Sequence, residues 1–100
     1  MKFKITVLKR TFNEELAHKY CPPDKFGLCQ VFKEGEEYIS EHFLQMPQGF
    51  CGWAWGDLHK ILITFFRGGD FVLTKEEDKM VACCTDGIRP VIFEIKKIPE

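Results

Sequence analysis

The sequence predicts an α+β domain: a small antiparallel sheet with a C-terminal hairpin, covered by one amphipathic helix over residues 53–67 and a short helix over residues 13–20. Three observations carry that expectation. Residues 2–9 alternate apolar and polar side chains with the period of a half-buried strand. Residues 53–67 place their apolar side chains at helical spacing. Near the C-terminus an Asp86-Gly87 turn signal separates two strand-like runs. At 100 residues the chain is long enough for one core and not two, so a single domain over residues 1–100 is expected.

In the first strand, Phe3, Ile5 and Val7 share one face, with Lys2, Lys4, Thr6 and Leu8 on the other. Asn13 is placed to cap the short helix, and Glu14 and Glu15 fall in its first turn, where the helix dipole favours them. Leu16, Ala17 and Tyr20 are expected to face inward. Pro22 and Pro23 end the helix, because neither can continue its hydrogen-bond ladder. Residues 25–32 fit a short strand or a loop, 36–40 a brief strand, and 41–49 a loop with a turn at Met46-Pro47-Gln48-Gly49.

At about 100° per residue, Ala54, Trp55, Leu58, Ile61, Leu62, Phe65 and Phe66 fall within one arc of the long helix. Gly56, Asp57, Lys60, Thr64 and Arg67 fall opposite, with Trp53 among them. Gly68-Gly69 supplies the stop. Residues 71–73 pair as a short strand or fold over the core. Residues 80–85 and 91–98 then read as the hairpin strands, with Asp86-Gly87 providing the positive φ of a tight connection and Pro90 at a strand start.

Composition excludes some classes of function. Hydrophobic residues make up 45% and charged residues 29%, an ordinary globular balance, and ten phenylalanines assign much of the core to rings. Fourteen basic and fifteen acidic side chains leave a net charge of −1, without the basic stripe that nucleic-acid binding needs. No run approaches the roughly 18 apolar residues of a membrane span. The first residues read as a strand and lack the features of a signal peptide, so a cytoplasmic protein is expected, with no nucleic-acid or membrane partner. A small molecule or a protein is the expected partner class.

The chemistry-bearing stretch is Gly49-Phe50-Cys51-Gly52-Trp53-Ala54-Trp55-Gly56-Asp57, which holds both tryptophans. Cys51 lies just before the long helix, whose unpaired N–H groups favour a negative charge, so it is the candidate nucleophile or metal ligand. Packed beneath the helix start, it is instead a small buried hydrophobe. Five cysteines (Cys21, Cys29, Cys51, Cys83 and Cys84) are an odd count, which argues against a disulfide framework. On a regular strand Cys83 and Cys84 point to opposite faces, so one is expected to approach Cys51 and the other to serve packing. A disulfide between these two neighbours is disfavoured by their short Cα separation.

The metal alternative uses Cys51, Cys83 or Cys84, and Cys21 or Cys29, with His18, His42 or His59 as a fourth ligand, for zinc or iron. No C-x-x-C or H-x-x-x-H spacing supports it. Trp53, on the polar face of the helix, either floors a ligand pocket or is covered by the loop after Ser40. Asp57 is a ligand candidate or a surface partner of Lys60. Arg89 can take a carboxylate or phosphate through two parallel hydrogen bonds, or pair with Asp86 to fix the turn. The C-G-W-A-W run lacks the nucleophile of the papain-like C-G-x-C-W pattern, and no phosphate-binding glycine motif or G-x-S-x-G occurs.

With the C-x-W-A-W run at Cys51 to Trp55 and Cys83-Cys84-Thr85-Asp86-Gly87-Ile88-Arg89-Pro90-Val91 both in view, the chain resembles a family of small uncharacterised prokaryotic proteins of about this length, often met in anaerobes. The likeness covers nearly the whole chain. It implies a prokaryotic cytoplasmic protein and carries no activity with it. The functional expectation is a small cysteine-dependent redox or ligand-binding protein, with its site between Cys51 and the Cys83-Cys84 strand and with Trp53, Asp57, Asp86 and Arg89 as ligand-binding candidates. The alternatives are a metal-binding module and an interaction module with inert, packed cysteines.

Overall fold

Along strand β1 (Lys2–Arg10) the pleat sends Phe3, Ile5 and Val7 to one face, where none is more than 1% exposed. The structure, a computed structural model, describes residues 1–98. Strand β1 pairs antiparallel with β2 (Glu37–Ser40) on one side and with β4 (Val91–Ile98) on the other. Strand β3 (Lys79–Cys83) adds antiparallel to β4, giving the order β2-β1-β4-β3. The register of β1 on β4 steps from Val7↔Phe93 to Lys9↔Ile92, so Leu8 forms a bulge and faces outward, as the alternation predicts.

Helix α2 (Gly52–Phe66) covers the apolar face of the sheet. Ala54, Leu58, Ile61, Leu62 and Phe65 are buried at the spacing of one helical face. Each of the larger ones stabilises the fold by about 1.5–3 kcal/mol relative to exposure. Two residues of the expected arc lie at its margin: Trp55 is half-buried, and Phe66 is exposed against the ring of Phe43. The helix ends in a Schellman motif, with Gly68 at φ 89° and the N–H groups of Gly68 and Gly69 donating to the carbonyls of Phe65 and Thr64.

Helix α1 (Glu14–Tyr20) corrects the sequence reading. Only Ala17 is buried, while Leu16 and Tyr20 are 46% and 69% exposed. The cause lies in how the helix is attached. Thr11 and Asn13 donate their backbone N–H groups to Pro90 and Ile88, and the Asn13 side chain donates to the Gly87 carbonyl instead of capping its own helix. The helix is tied to the β3–β4 connection and does not lie on the sheet, so two short turns have room for one inward contact.

That connection also differs from a tight turn. It runs over residues 84–90, and Gly87 is not at positive φ. Asp86 shapes it instead, accepting at Oδ1 from the N–H groups of Ile88 (2.9 Å) and Arg89 (3.0 Å), an Asx turn. A single turn of 3₁₀ helix (Pro23–Lys25) ends at Lys25, and the rest of residues 25–32 form a loop, which delivers Phe32 to the core. Residues 71–73 form no strand: Phe71 stacks edge-on against Phe65, and Val72 is 98% exposed. Among the described residues, no helix is long and apolar enough to cross a membrane.

Candidate functional site

The pleat of β3 decides which of the adjacent cysteines faces inward. Met80, Ala82 and Cys84, two residues apart, pack against the core, whereas Val81 and Cys83 are exposed. Cys84 lies one residue past the end of β3 and prolongs its pairing with β4. Its N–H donates to the Val91 carbonyl at 3.1 Å, and the Val91 N–H donates back to Cys84 Sγ at 3.4 Å. The Cys83 thiol turns back on the chain and donates to the Cys84 carbonyl. Cys83 is exposed and stands outside the core, which corrects the packing role expected for the second thiol. Partial desolvation, followed by the neighbouring Cys84 and the Asp57 carboxylate, pushes the Cys83 thiol above the ordinary thiol range.

Cys51 occupies the N-cap position of α2, with extended backbone and a carbonyl that accepts the first helical bond from Trp55. Its side chain makes no capping bond, so the thiol is free to face elsewhere. The turn before it uses Gly49 at φ 81°, and buried Phe50 anchors it to the rings of Phe32 and Phe93.

Between the start of α2 and the end of β3 lies a partly open cavity of about 40 Å³. Cys29, Cys51 and Cys84 line it together with Trp53, Asp86 and Arg89. Of the residues singled out from sequence, Cys51, Trp53, Cys84, Asp86 and Arg89 meet at this cavity, and Asp57 and Cys83 stand outside its lining. Between Cys21 and Cys29, which spacing could not separate, the structure brings Cys29 in. Cys21 sits at the C-cap of α1. Cys29 is held by the end of β1: Arg10 Nη1 donates to its carbonyl at 2.8 Å, and Arg10 Nε pairs with Glu34 at 3.0 Å.

Asp57 does not pair with Lys60; it accepts the backbone N–H of Thr85 at 2.7 Å and the Thr85 hydroxyl at about the same reach. The same hydroxyl accepts the Trp53 indole N–H at 2.6 Å. Thr85 was not singled out by sequence reasoning, although it follows Cys84 directly and so had a signal in its position. The Trp53 indole is 59% exposed, so the loop after Ser40 does not cover it. Arg89 forms no ion pair with Asp86, and its guanidinium has no hydrogen-bond or ion-pair partner among the described residues.

Among the described residues, no three His, Cys, Asp or Glu side chains gather closely enough to hold a metal ion. The histidines proposed as a fourth ligand sit elsewhere. His18 pairs with Glu14 on α1 and touches Phe26, while His42 and His59 flank Phe43. The donor set therefore does not fit zinc or iron as it stands. Comparison with protein-family models, with curated proteins and with solved structures finds no match to this chain.

Proposed function

We propose that the chain is a small thiol-dependent redox protein whose working pair is Cys51 and Cys84, with Cys29 as a third thiol of the same cavity. The observation that carries this reading is convergence. Cysteines from a loop, a helix start and a strand end, far apart in sequence, line one small cavity. Cysteines used only as small hydrophobes have no reason to share a partly open space. The proposed step is thiol–disulfide exchange. The Cys51 sulfur attacks one sulfur of a small disulfide, whose S–S bond breaks and whose other half leaves as a thiolate. The Cys84 sulfur then attacks Cys51 Sγ, a second thiolate departs, and a Cys51–Cys84 disulfide remains. The protein loses two electrons and the external disulfide gains them.

We place this protein in the reducing cytoplasm of a prokaryotic cell, where thiols stay reduced between cycles; the five free cysteines and the motif resemblance support that placement. The test is peptide mapping of the full chain after mild oxidation with a small disulfide, beside elemental analysis of anaerobically purified protein. The expected result is a Cys51–Cys84 linkage that dithiothreitol reverses, lost in Cys51→Ser and Cys84→Ser and kept in Cys83→Ser. Stoichiometric metal that shields the thiols until a chelator is added, or five slow thiols that form no linkage, would overturn the proposal.

A further inference from the structure

We propose that the cavity selects a small sulfur oxyanion carrying an S–S bond, thiosulfate being the simplest, with Arg89 holding the oxyanion while Cys51 takes the outer sulfur; this rests on the thiol reading above. Three features of the cavity meet in that substrate class. The first is size: about 40 Å³ is room for roughly three water-sized groups, which admits a compact anion and not the skeleton of a peptide disulfide. The second is charge. Arg89 is among the residues lining the cavity, and its guanidinium has no hydrogen-bond or ion-pair partner among the described residues. The acidic group beside it, Asp86, is directed at the Ile88 and Arg89 backbone N–H groups. A guanidinium fork matches two oxygens of an oxyanion, and the flanking apolar walls of Phe32 and Val91 strengthen the attraction by excluding water. The third is reactivity: the cavity's thiols need an electrophilic sulfur, and a small sulfur oxyanion with an S–S bond places one a single bond away from the charge that Arg89 recognises.

The step balances. The Cys51 thiolate attacks the outer sulfur of thiosulfate, the S–S bond breaks, and sulfite leaves with the electron pair, so Cys51 carries a persulfide. The Cys84 thiol then attacks Cys51 Sγ and forms the Cys51–Cys84 disulfide. The outer sulfur departs with its electron pair and the Cys84 proton as hydrosulfide. Two protein thiols are oxidised, and the outer sulfur is reduced.

The experiment compares two probes on the reduced full chain, thiosulfate and the uncharged hydroxyethyl disulfide, following thiol loss with both and sulfite release with the first. The expected result is one sulfite released per Cys51–Cys84 disulfide formed. Arg89→Met should slow the thiosulfate reaction about tenfold, the loss expected for one charge-assisted hydrogen bond. The thiosulfate rate should fall relative to the hydroxyethyl disulfide rate, circular dichroism reports that the variant is folded, and Arg89→Lys should restore part of the thiosulfate rate. Reaction with hydroxyethyl disulfide but none with thiosulfate would overturn this inference and leave the thiol reading standing. Equal slowing of both probes by Arg89→Met would overturn it too. No disulfide with either probe would sink the thiol reading and this inference together.

Discussion

Thr85 gives both its backbone N–H and its hydroxyl proton to the carboxylate of Asp57, at 2.7 Å and about 3 Å, while its hydroxyl oxygen accepts the Trp53 indole N–H. Trp53 and Asp57 lie four residues apart on α2, one turn above the other. Thr85 follows Cys84, and Cys51 lies two residues before Trp53. The three-residue clamp therefore fastens together the two segments that carry Cys51 and Cys84.

The clamp predicts a graded loss. Thr85→Val removes the two hydroxyl bonds, to Asp57 and from Trp53, keeps the backbone bond, and should cost about 1–2 kcal/mol, at roughly 0.5–1 kcal/mol for each bond. Asp57→Ala removes both bonds to the carboxylate and should cost about 2 kcal/mol. In both variants the Cys51–Cys84 disulfide should form more slowly, because its two segments are less well held. Urea unfolding and the rate of disulfide formation check the two effects, and an Asp57→Ala protein with wild-type stability would show that the clamp holds nothing.

The Cys83 thiol should react late along a pH series. The Cys83 thiol is pushed above the ordinary thiol range by partial desolvation first, then by Cys84 and by Asp57. An acid so shifted stays protonated to higher pH, so alkylation of Cys83 should begin at more alkaline pH than that of a free cysteine despite its exposure. Asp57→Asn should move its onset to lower pH by removing a negative charge. Site-resolved alkylation across a pH series measures both, and Cys83 reacting first near neutral pH would contradict the assignment.

Much of this arrangement was legible in the chain, and the illegible parts have physical reasons. Periodicity found β1 and α2, because each buries one face along its length, and the Asp86-Gly87 signal between two strand-like runs found β3 and β4. The same period of two contains the answer for Cys83 and Cys84, but only once Met80 and Ala82 are known to face the core. Cys29 could not be chosen over Cys21, since its place in the cavity depends on Arg10, nineteen residues away, binding its carbonyl. The inward side of α1 was misread because its partner is the loop at Ile88 and Pro90, and not the sheet. Phe32 was indistinct for a similar reason: a loop carries no period, so a buried ring there has no pattern to announce it.

Phe32 also yields a prediction. It is 1% exposed, meets the rings of Tyr38, Phe50 and Phe93, and forms part of the cavity wall. Phe32→Ala should cost about 3–5 kcal/mol and enlarge the space beside the thiols. Its Cys51–Cys84 pair should then accept bulkier disulfides than the wild-type protein does. Denaturant unfolding gives the first quantity. Rates with small and large disulfide probes give the second, and an unchanged size preference would remove Phe32 from the wall.

The anchor of Cys29 should weaken in acid. Glu34 is held below its ordinary carboxylate range by a backbone hydrogen bond within its own segment first, and then by Arg10, with partial desolvation opposing. A carboxyl whose folded value is lowered stabilises the fold above its unfolded value and loses that contribution as the pH falls through the folded value. The Arg10–Glu34 pair should therefore be intact near neutrality and be lost below the ordinary carboxylate range, releasing Arg10 from the loop that carries Cys29. Glu34→Gln should flatten one component of the acid dependence of the thermal midpoint and leave neutral-pH stability little changed, because the Glu34 end of the pair is half exposed. Thermal unfolding of both proteins from neutral to acid pH measures the difference, and parallel curves would show that the Cys29 loop is anchored by something other than this pair.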